Sequence, residues 1–293
     1  PVPAWAPALV ARAAAHRANA LRVAGDLPAA ERAFAGLRHR LADRPLADPA
    51  AVAEIASLEA SLCIGQRRFE AAAERLERAA LGFRAADDRV GLARTRLKQA
   101  NVMRNAGRPE EVVRLLVLEE LDLETAGDPY LYVCAVNARA NALCDLGDFA
   151  AAERLLDQRQ EAYEASEDVN VGAIYRCLRG RAALGLGDLE RAEAAFRDAR
   201  EATLTLGRTY DAALITLYLA EALLAAGKTR ELAHLAGGLV AAFRNRGVDG
   251  EALAALRLLA QAVAAESVST ALLARLRQRL TSATSRPALL GVA

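Results

Sequence analysis

The apolar positions of this chain fall into Ala- and Leu-rich runs of helical character, broken at short intervals by one or two polar or glycine residues. The stretch NALCDLGDFAAAERL, Asn141 to Leu155, shows the pattern: two such runs meet at Gly147-Asp148 with nothing else between them. Gly147 suits the positive φ that ends a helix, and Asp148 suits the cap that starts the next one. The pattern predicts one helix over about Tyr130 to Leu146 and a second over about Phe149 to Ser166. Pro28 and Pro109 fall in the first turn of equivalent second helices, where a missing N–H costs nothing.

The same punctuation recurs. Gly107, Gly147, Gly187 and Gly227 follow one another at a constant period of forty, and Gly25 precedes Gly107 by two such periods with two positions inserted. In the intervening unit the turn is carried by Gly65-Gln66-Arg67-Arg68, with Phe69 aligned to Phe149. A column of small residues keeps the period: Ala18, Ala60, Ala100, Ala140, Gly180 and Ala220. A second column is Ala30, Ala72, Val112, Ala152, Ala192 and Leu232; a third is Phe34, Leu76, Leu116, Leu156, Phe196 and Ala236; a fourth is Phe83, Leu123, Tyr163, Thr203 and Phe243. Small residues on helix A facing the alanine column on helix B let two backbones approach closely, and the larger columns fill the space between units. A lone unit cannot bury both of its faces, so the units must stack.

These residues resemble the tetratricopeptide repeat (TPR). The matching positions are Ala140, Gly147-Asp148-Phe149, Ala152 and Leu156, and again Gly180, Gly187-Asp188-Leu189, Ala192, Phe196 and Ala199. The resemblance covers about Ala11 to Ala265. Its 40-residue unit is similar to the long repeats of bacterial regulators of the MalT type and of peptide-sensing transcription factors. It departs from the family in lacking the usual Trp and Tyr of helix A and most of the prolines after helix B. It implies an all-α, right-handed solenoid of about seven antiparallel helix pairs, in units near 11–50, 51–90, 91–130, 131–170, 171–210, 211–250 and 251–280. The last unit, Glu251 to Ala265 and Thr270 to Leu280 with a turn at Glu266-Ser267, reads as a cap; residues 281–293 read as a flexible tail.

The resemblance also implies a concave groove lined by A helices, along the polar column Asn19, Ser61, Asn101, Asn141, Arg181 and Glu221. Neighbouring groove positions add Arg12, Arg22, Arg94, Lys98, Arg104 and Asn137. Asn can hold an extended peptide by its backbone, and Arg can grip a carboxylate with two parallel bonds. The resemblance suggests a carboxylate clamp made of Lys98, Asn101, Arg104 and Asn141. The alternative is a solvated polar face, and the residues alone leave both open. On either reading, Asn101→Ala and Asn141→Ala are expected to leave stability within about 0.5 kcal/mol, as at exposed sites.

Composition narrows the function without naming it. The formal net charge of +1, from 38 basic and 37 acidic residues, argues against a nucleic-acid binder working through a net basic surface. Cys63, Cys134, Cys144 and Cys177 form no CxxC, so no zinc site or disulfide framework is expected, and a reducing, cytoplasmic interior is the simplest reading. No apolar run reaches the roughly 18 residues of a membrane span, and no metal or cofactor is expected. His16, His39 and His234 are scattered; Gly185-Leu186-Gly187 lacks the strand that a phosphate loop needs; Glu119, Glu120 and Asp122 read as a solvent face. The start, PVPAWAPALV, reads like a cut inside a longer chain, with Trp5 packing the first helix. The expected function is therefore non-catalytic binding of a protein or peptide, one with an acidic segment or a C-terminal carboxylate. The alternatives are a ligand- or peptide-sensing domain of a bacterial regulator whose output domain precedes Pro1, and an oligomerisation scaffold.

Overall fold

In a computed structural model, the chain is described at residues 6–125, 128–166, 168–244, 257, 259–264 and 266–282, and these residues contain helices and no strand. The helices are α1 (Ala6–Val23), α2 (Leu27–Asp43), α3 (Pro49–Gly65), α4 (Phe69–Ala85), α5 (Arg89–Asn105), α6 (Pro109–Thr125) and α7 (Pro129–Asp145). They continue with α8 (Phe149–Gln158), α9 (Gln160–Glu164), α10 (Val169–Gly185), α11 (Leu189–Thr205), α12 (Thr209–Ala225), α13 (Thr229–Arg244) and α14 (Thr270–Ser282). The chain forms two compact units, one up to Ala138 and one from Arg139 onward.

The turns explain the helix lengths. Gly147 has φ +79°, its N–H bonds the Cys144 carbonyl at 3.2 Å, and the Asp148 N–H bonds the Leu143 carbonyl at 3.0 Å. This is the paired-bond ending in which one left-handed residue satisfies the last carbonyls of a helix. Asp148 then accepts from the Ala151 N–H at 3.0 Å and caps α8. The same left-handed residue appears at Arg67, Asp87, Gly107, Gly147, Gly187, Gly207 and Gly227. Every interval among these is a whole multiple of half the sequence period, so turns from B to A have the geometry of turns from A to B. Seventeen-residue helices with three-residue turns result, as in α3, α4, α5, α10, α11 and α12. Arg67 (φ 57°) supplies the turn in the unit whose glycine is displaced.

The columns pack as their sizes require. An added Cβ on Gly180 of α10 would lie 2.7 Å from the Phe196 ring of α11, and one on Gly82 of α4 would lie 2.9 Å from Ala53 of α3. Gly185 is pressed against Phe149 in the same way. In the first unit Ala11, Ala15 and Ala18 meet Ala30, Phe34 and Leu37, with Ile55 and Leu62 from α3. In the second, α12 is buried on all sides, and Leu273, Leu276 and Leu280 of α14 join its core.

Two expectations change. The helix expected over Phe149 to Ser166 is two helices, because Arg159 (φ −114°, ψ 12°) leaves helical geometry and interrupts the hydrogen-bond ladder. The last helix runs to Ser282, so Thr281 and Ser282 belong to it rather than to a tail. The turn expected at Glu266-Ser267 is present, with Glu266 at φ 50°, while Trp5, residues 251–256 and residues 283–293 lie outside the described residues, as do the side chains of Leu123, Phe243, Glu119, Glu120 and Asp122.

The turn geometry yields a crossed prediction. Gly147→Ala should lower stability by about 1–2 kcal/mol, the cost of placing a Cβ in the left-handed region, and Arg67→Gly should not lower it. Urea denaturation of both variants checks this; equal losses at both positions would rule out the turn as the determinant.

Candidate functional site

In the first unit the A helices α1, α3 and α5 lie side by side, and one face of each carries the polar column. Lys98 stands at its centre. Its ammonium donates to the Ser57 carbonyl at 3.2 Å, to Ser57 Oγ at 3.0 Å and to Ser61 Oγ at 3.0 Å. An ammonium has three donors, and all three point into α3. Among the described residues no carboxylate balances it: the acid one turn before Ser57, Glu54, is held by Arg12 Nε at 2.5 Å and His16 Nε2 at 2.7 Å. The charges that bear on Lys98 are cations. Its own burial, then Arg22 and Arg94, push its pKa down from 10.5 to about 8.

Arg22 is half-buried and bonds Asn19 Oδ1 through Nε at 2.8 Å, and burial lowers its pKa. Its two terminal nitrogens carry no hydrogen bond or ion pair among the described residues, and Arg94, exposed on α5, has neither. Asn101 lies one turn beyond Lys98, and its side-chain and backbone oxygens accept from Asn105 Nδ2 at 2.6 and 2.8 Å. Arg104 is half-buried near the end of the same helix. Of the residues that sequence reasoning selected, the structure thus gathers Asn19, Arg22, Arg94, Lys98 and Asn101 on one face, and adds Ser57, which it missed. Ser57 sits one turn before the Ser61 of the column, a spacing that could have revealed it.

The remaining candidates are placed differently. Asn137 and Asn141 on α7 are 2% and 4% exposed, which removes them from a solvated face. Asn141 Oδ1 accepts from Arg181 at 2.5 Å, and Arg181 also pairs with Asp145 at 2.8 Å. Burial alone would lower the Arg181 pKa; Tyr218, Cys144 and the bonded Asp145 outweigh it and hold the guanidinium charged, its pKa above the ordinary range. The Arg181 guanidinium lies 5.3 Å from the centre of the Tyr218 ring, that of Arg277 from α14 lies 4.7 Å from it, and Arg277 pairs with Glu221. In the second unit the polar column is therefore a ladder that bonds to itself. The expected indifference of stability to Asn141→Ala is corrected by this: the amide is buried and holds a buried cation.

Other candidate groups have structural roles. Cys63, Cys144 and Cys177 are buried and Cys134 half-buried; burial pushes the Cys177 thiol up to about 12 and also raises that of Cys63. Among the described residues no cluster of three or more His, Cys, Asp or Glu could hold a metal ion, and no helix is long and apolar enough to cross a membrane. Gly185 and Gly187 end α10 and make its turn.

No protein-family model and no curated protein matches this sequence. Solved structures do. A Rap protein complexed with competence and sporulation factor superposes with a TM-score of 0.67 at 15% identity, over 94% of this chain and 89% of that one. The apo form of RapI gives 0.65 at 12% identity, over 92% and 98%. A tetratricopeptide repeat protein from Parabacteroides merdae ATCC 43184 gives 0.56 at 13% identity, over 93% and 99%. At such identities the likeness speaks for the fold, which is all-α and of the TPR type.

Two outcomes follow. Asn141→Ala should cost about 1–3 kcal/mol, and a double-mutant cycle with Arg181→Met should return a coupling of about 0.5–3 kcal/mol; zero coupling would refute the ladder. For Lys98, the unfolded lysine keeps its proton up to about 10.5 while the folded one loses it near 8. Between those pH values the unfolded state binds more protons, so this group makes stability rise with pH. Urea titrations across that window should show a shallower rise in Lys98→Met.

Proposed function

We propose that this chain is a non-catalytic scaffold that holds a peptide or protein segment on the A-helix face of α1, α3 and α5. The observation that carries the reading is the cation group there: Lys98 is held against Ser57 and Ser61 with no carboxylate on it, and the charges of Arg22 and of Arg94, one turn before it on α5, both bear on it. Those arginines carry unbonded terminal nitrogens among the described residues, and Glu54 is already paired. Bringing like charges together without counter-charges costs free energy, and a partner that supplies an acid recovers it. Asn19, Ser61 and Asn101 flank the cations with amide and hydroxyl groups suited to an extended backbone. Burial raises the thiol pKa of Cys63 and Cys177, which disfavours the nucleophilic thiolate there, in keeping with binding rather than catalysis.

A fold shared with a Rap protein solved with competence and sporulation factor, and with RapI solved without a ligand, favours a regulatory form of the same reading. In it the bound segment is a signal and the 40-residue units belong to the MalT-like class of regulator repeats. An acidic segment or a terminal carboxylate is the expected partner feature, and the cytoplasm the expected place.

The test is selection of a displayed random-peptide library on the purified full chain. Enriched peptides should contain acidic residues. Their affinity should fall at least tenfold on Lys98→Met and stay unchanged on Arg108→Gln, which lies at the start of a B helix. An absence of enriched peptides, or equal binding to both variants, would refute the reading.

A further inference from the structure

The A helices α3, α5 and α10 each pack one face on the B helix before them, and in α1 the same face is open. Among the described helices only α2 and α3 touch α1. The register set by Ala18 and Ala60 places Leu9, Ala13, Arg17 and Ala20 of α1 level with Ala51, Ile55, Glu59 and Leu62 of α3. All four α3 residues are buried: Ile55 and Leu62 join Phe34 and Leu37 of α2 in one core, and Glu59 pairs with Arg38. Their counterparts on α1 are exposed, Leu9 at 56%. Arg17 makes no hydrogen bond or ion pair among the described residues. A stacked array that simply ends here calls for a polar outer face. This one presents three apolar side chains around a single cation.

The later pairs show what fits such a face. On α5, Gln99 stands level with Arg17 and donates through Nε2 to Glu77 of α4 at 3.1 Å. Gly91, level with Leu9, is so close to α4 that an added Cβ would lie 2.5 Å from the Phe83 ring. On α10, Arg179 stands level with Arg17 and pairs with Asp157 of α8, while Tyr175 meets Tyr163 of α9 with ring centres 4.4 Å apart. Where the column carries a donor, the covering segment brings a carboxylate and, six residues later, an aromatic ring: Glu77 then Phe83, Asp157 then Tyr163. The carboxylate lies further along the A helix than the ring, so the covering segment runs antiparallel to it.

From this repetition we propose that the open face of α1 docks an amphipathic helix of a partner protein. That helix runs antiparallel to α1, with a carboxylate against Arg17 and an aromatic side chain six residues later beside Leu9. The carboxylate answers the one unpaired charge on the face, and the ring covers its apolar end. The segments of this chain that use this pairing, α4 and α8 with α9, are already seated on α5 and α10, so a second copy has neither to offer. The surface is separate from that of Lys98 and does not depend on the peptide-binding reading.

The probe is a labelled synthetic peptide with the sequence of α4, Phe69–Ala85, held helical by a lactam staple on its solvent side, since an isolated helix of this length is marginal in water. By fluorescence anisotropy it should bind the full chain, and Leu9→Glu should weaken binding at least tenfold. Arg17→Glu should weaken it about fivefold, and a peptide carrying Glu77→Arg should recover most of that loss on the Arg17→Glu chain. Both protein positions are exposed, so the urea midpoints of these variants should not move. Phe83→Ala in the peptide should cost at least tenfold. Lys98→Met and Arg275→Glu, the latter at an exposed position of α14, should change nothing. No binding of the stapled peptide, or binding indifferent to Leu9→Glu and Arg17→Glu, overturns the proposal. Sedimentation of the chain alone tests the other occupant: a dimer that Arg17→Glu dissociates puts a second copy on this face and overturns the partner helix.

Discussion

The architecture depends on one backbone conformation. A left-handed residue, placed at whole multiples of the half-period among the described residues from Arg67 to Gly227, ends a helix and satisfies its last carbonyls. It leaves three residues to reverse the chain before the next helix. Where the interval is kept, as from α3 to α5 and from α10 to α12, successive helices have equal length. A small column then meets a large one: Gly180 lies under the Phe196 ring, with α10 and α11 of equal length. The same registration brings Arg181, one full unit after Asn141, opposite that amide.

With the frame fixed in this way, the two units put the same column to opposite uses. In the second unit, Asn141, Asp145, Arg181, Tyr218, Glu221 and Arg277 bond or stack with one another, and the acids on that face are paired with its cations. In the first, the corresponding helices bring cations together and supply serine oxygens in place of acids. A self-satisfied polar network rigidifies, whereas an uncompensated one stores electrostatic free energy that a ligand can release. This difference in charge balance, rather than in residue type, separates the structural part of the column from the candidate site.

Much of the fold was legible in the sequence because its signals are local and repeated. Glycine before aspartate marks a helix end followed by a start, and four columns at one period fix which faces meet. The half-period escaped notice because several of its turns lack the expected residue: Arg67 and Asp87 adopt positive φ without being glycine, and Gly207 lies outside the main glycine series. The site was legible only as a set of types. Lys98, Arg22 and Arg94 could be chosen by position, but which of them had a counter-charge could not, since Glu54 reaches Arg12 and His16 rather than Lys98. The bond between Asn141 and Arg181 was visible in principle, as two complementary residues one unit apart in a single column. Arg277 was not, because it belongs to the terminal helix and to no column.

The regular spacing of the turns has a consequence for how such a chain can change length. Removing a single residue inside a helix turns everything beyond it by about 100°, carrying small columns away from their partners. Removing half a period restores every turn but reverses the direction of all later helices, so each A helix would take the place of a B. Only a step of one whole period preserves both rotation and direction. Growth and loss in this chain are therefore confined to whole helix pairs, or to linkers outside the series such as the stretch from Arg44 to Asp48 that separates α2 from α3. A deletion confined to that linker can change its span without altering the registration within either neighbouring pair.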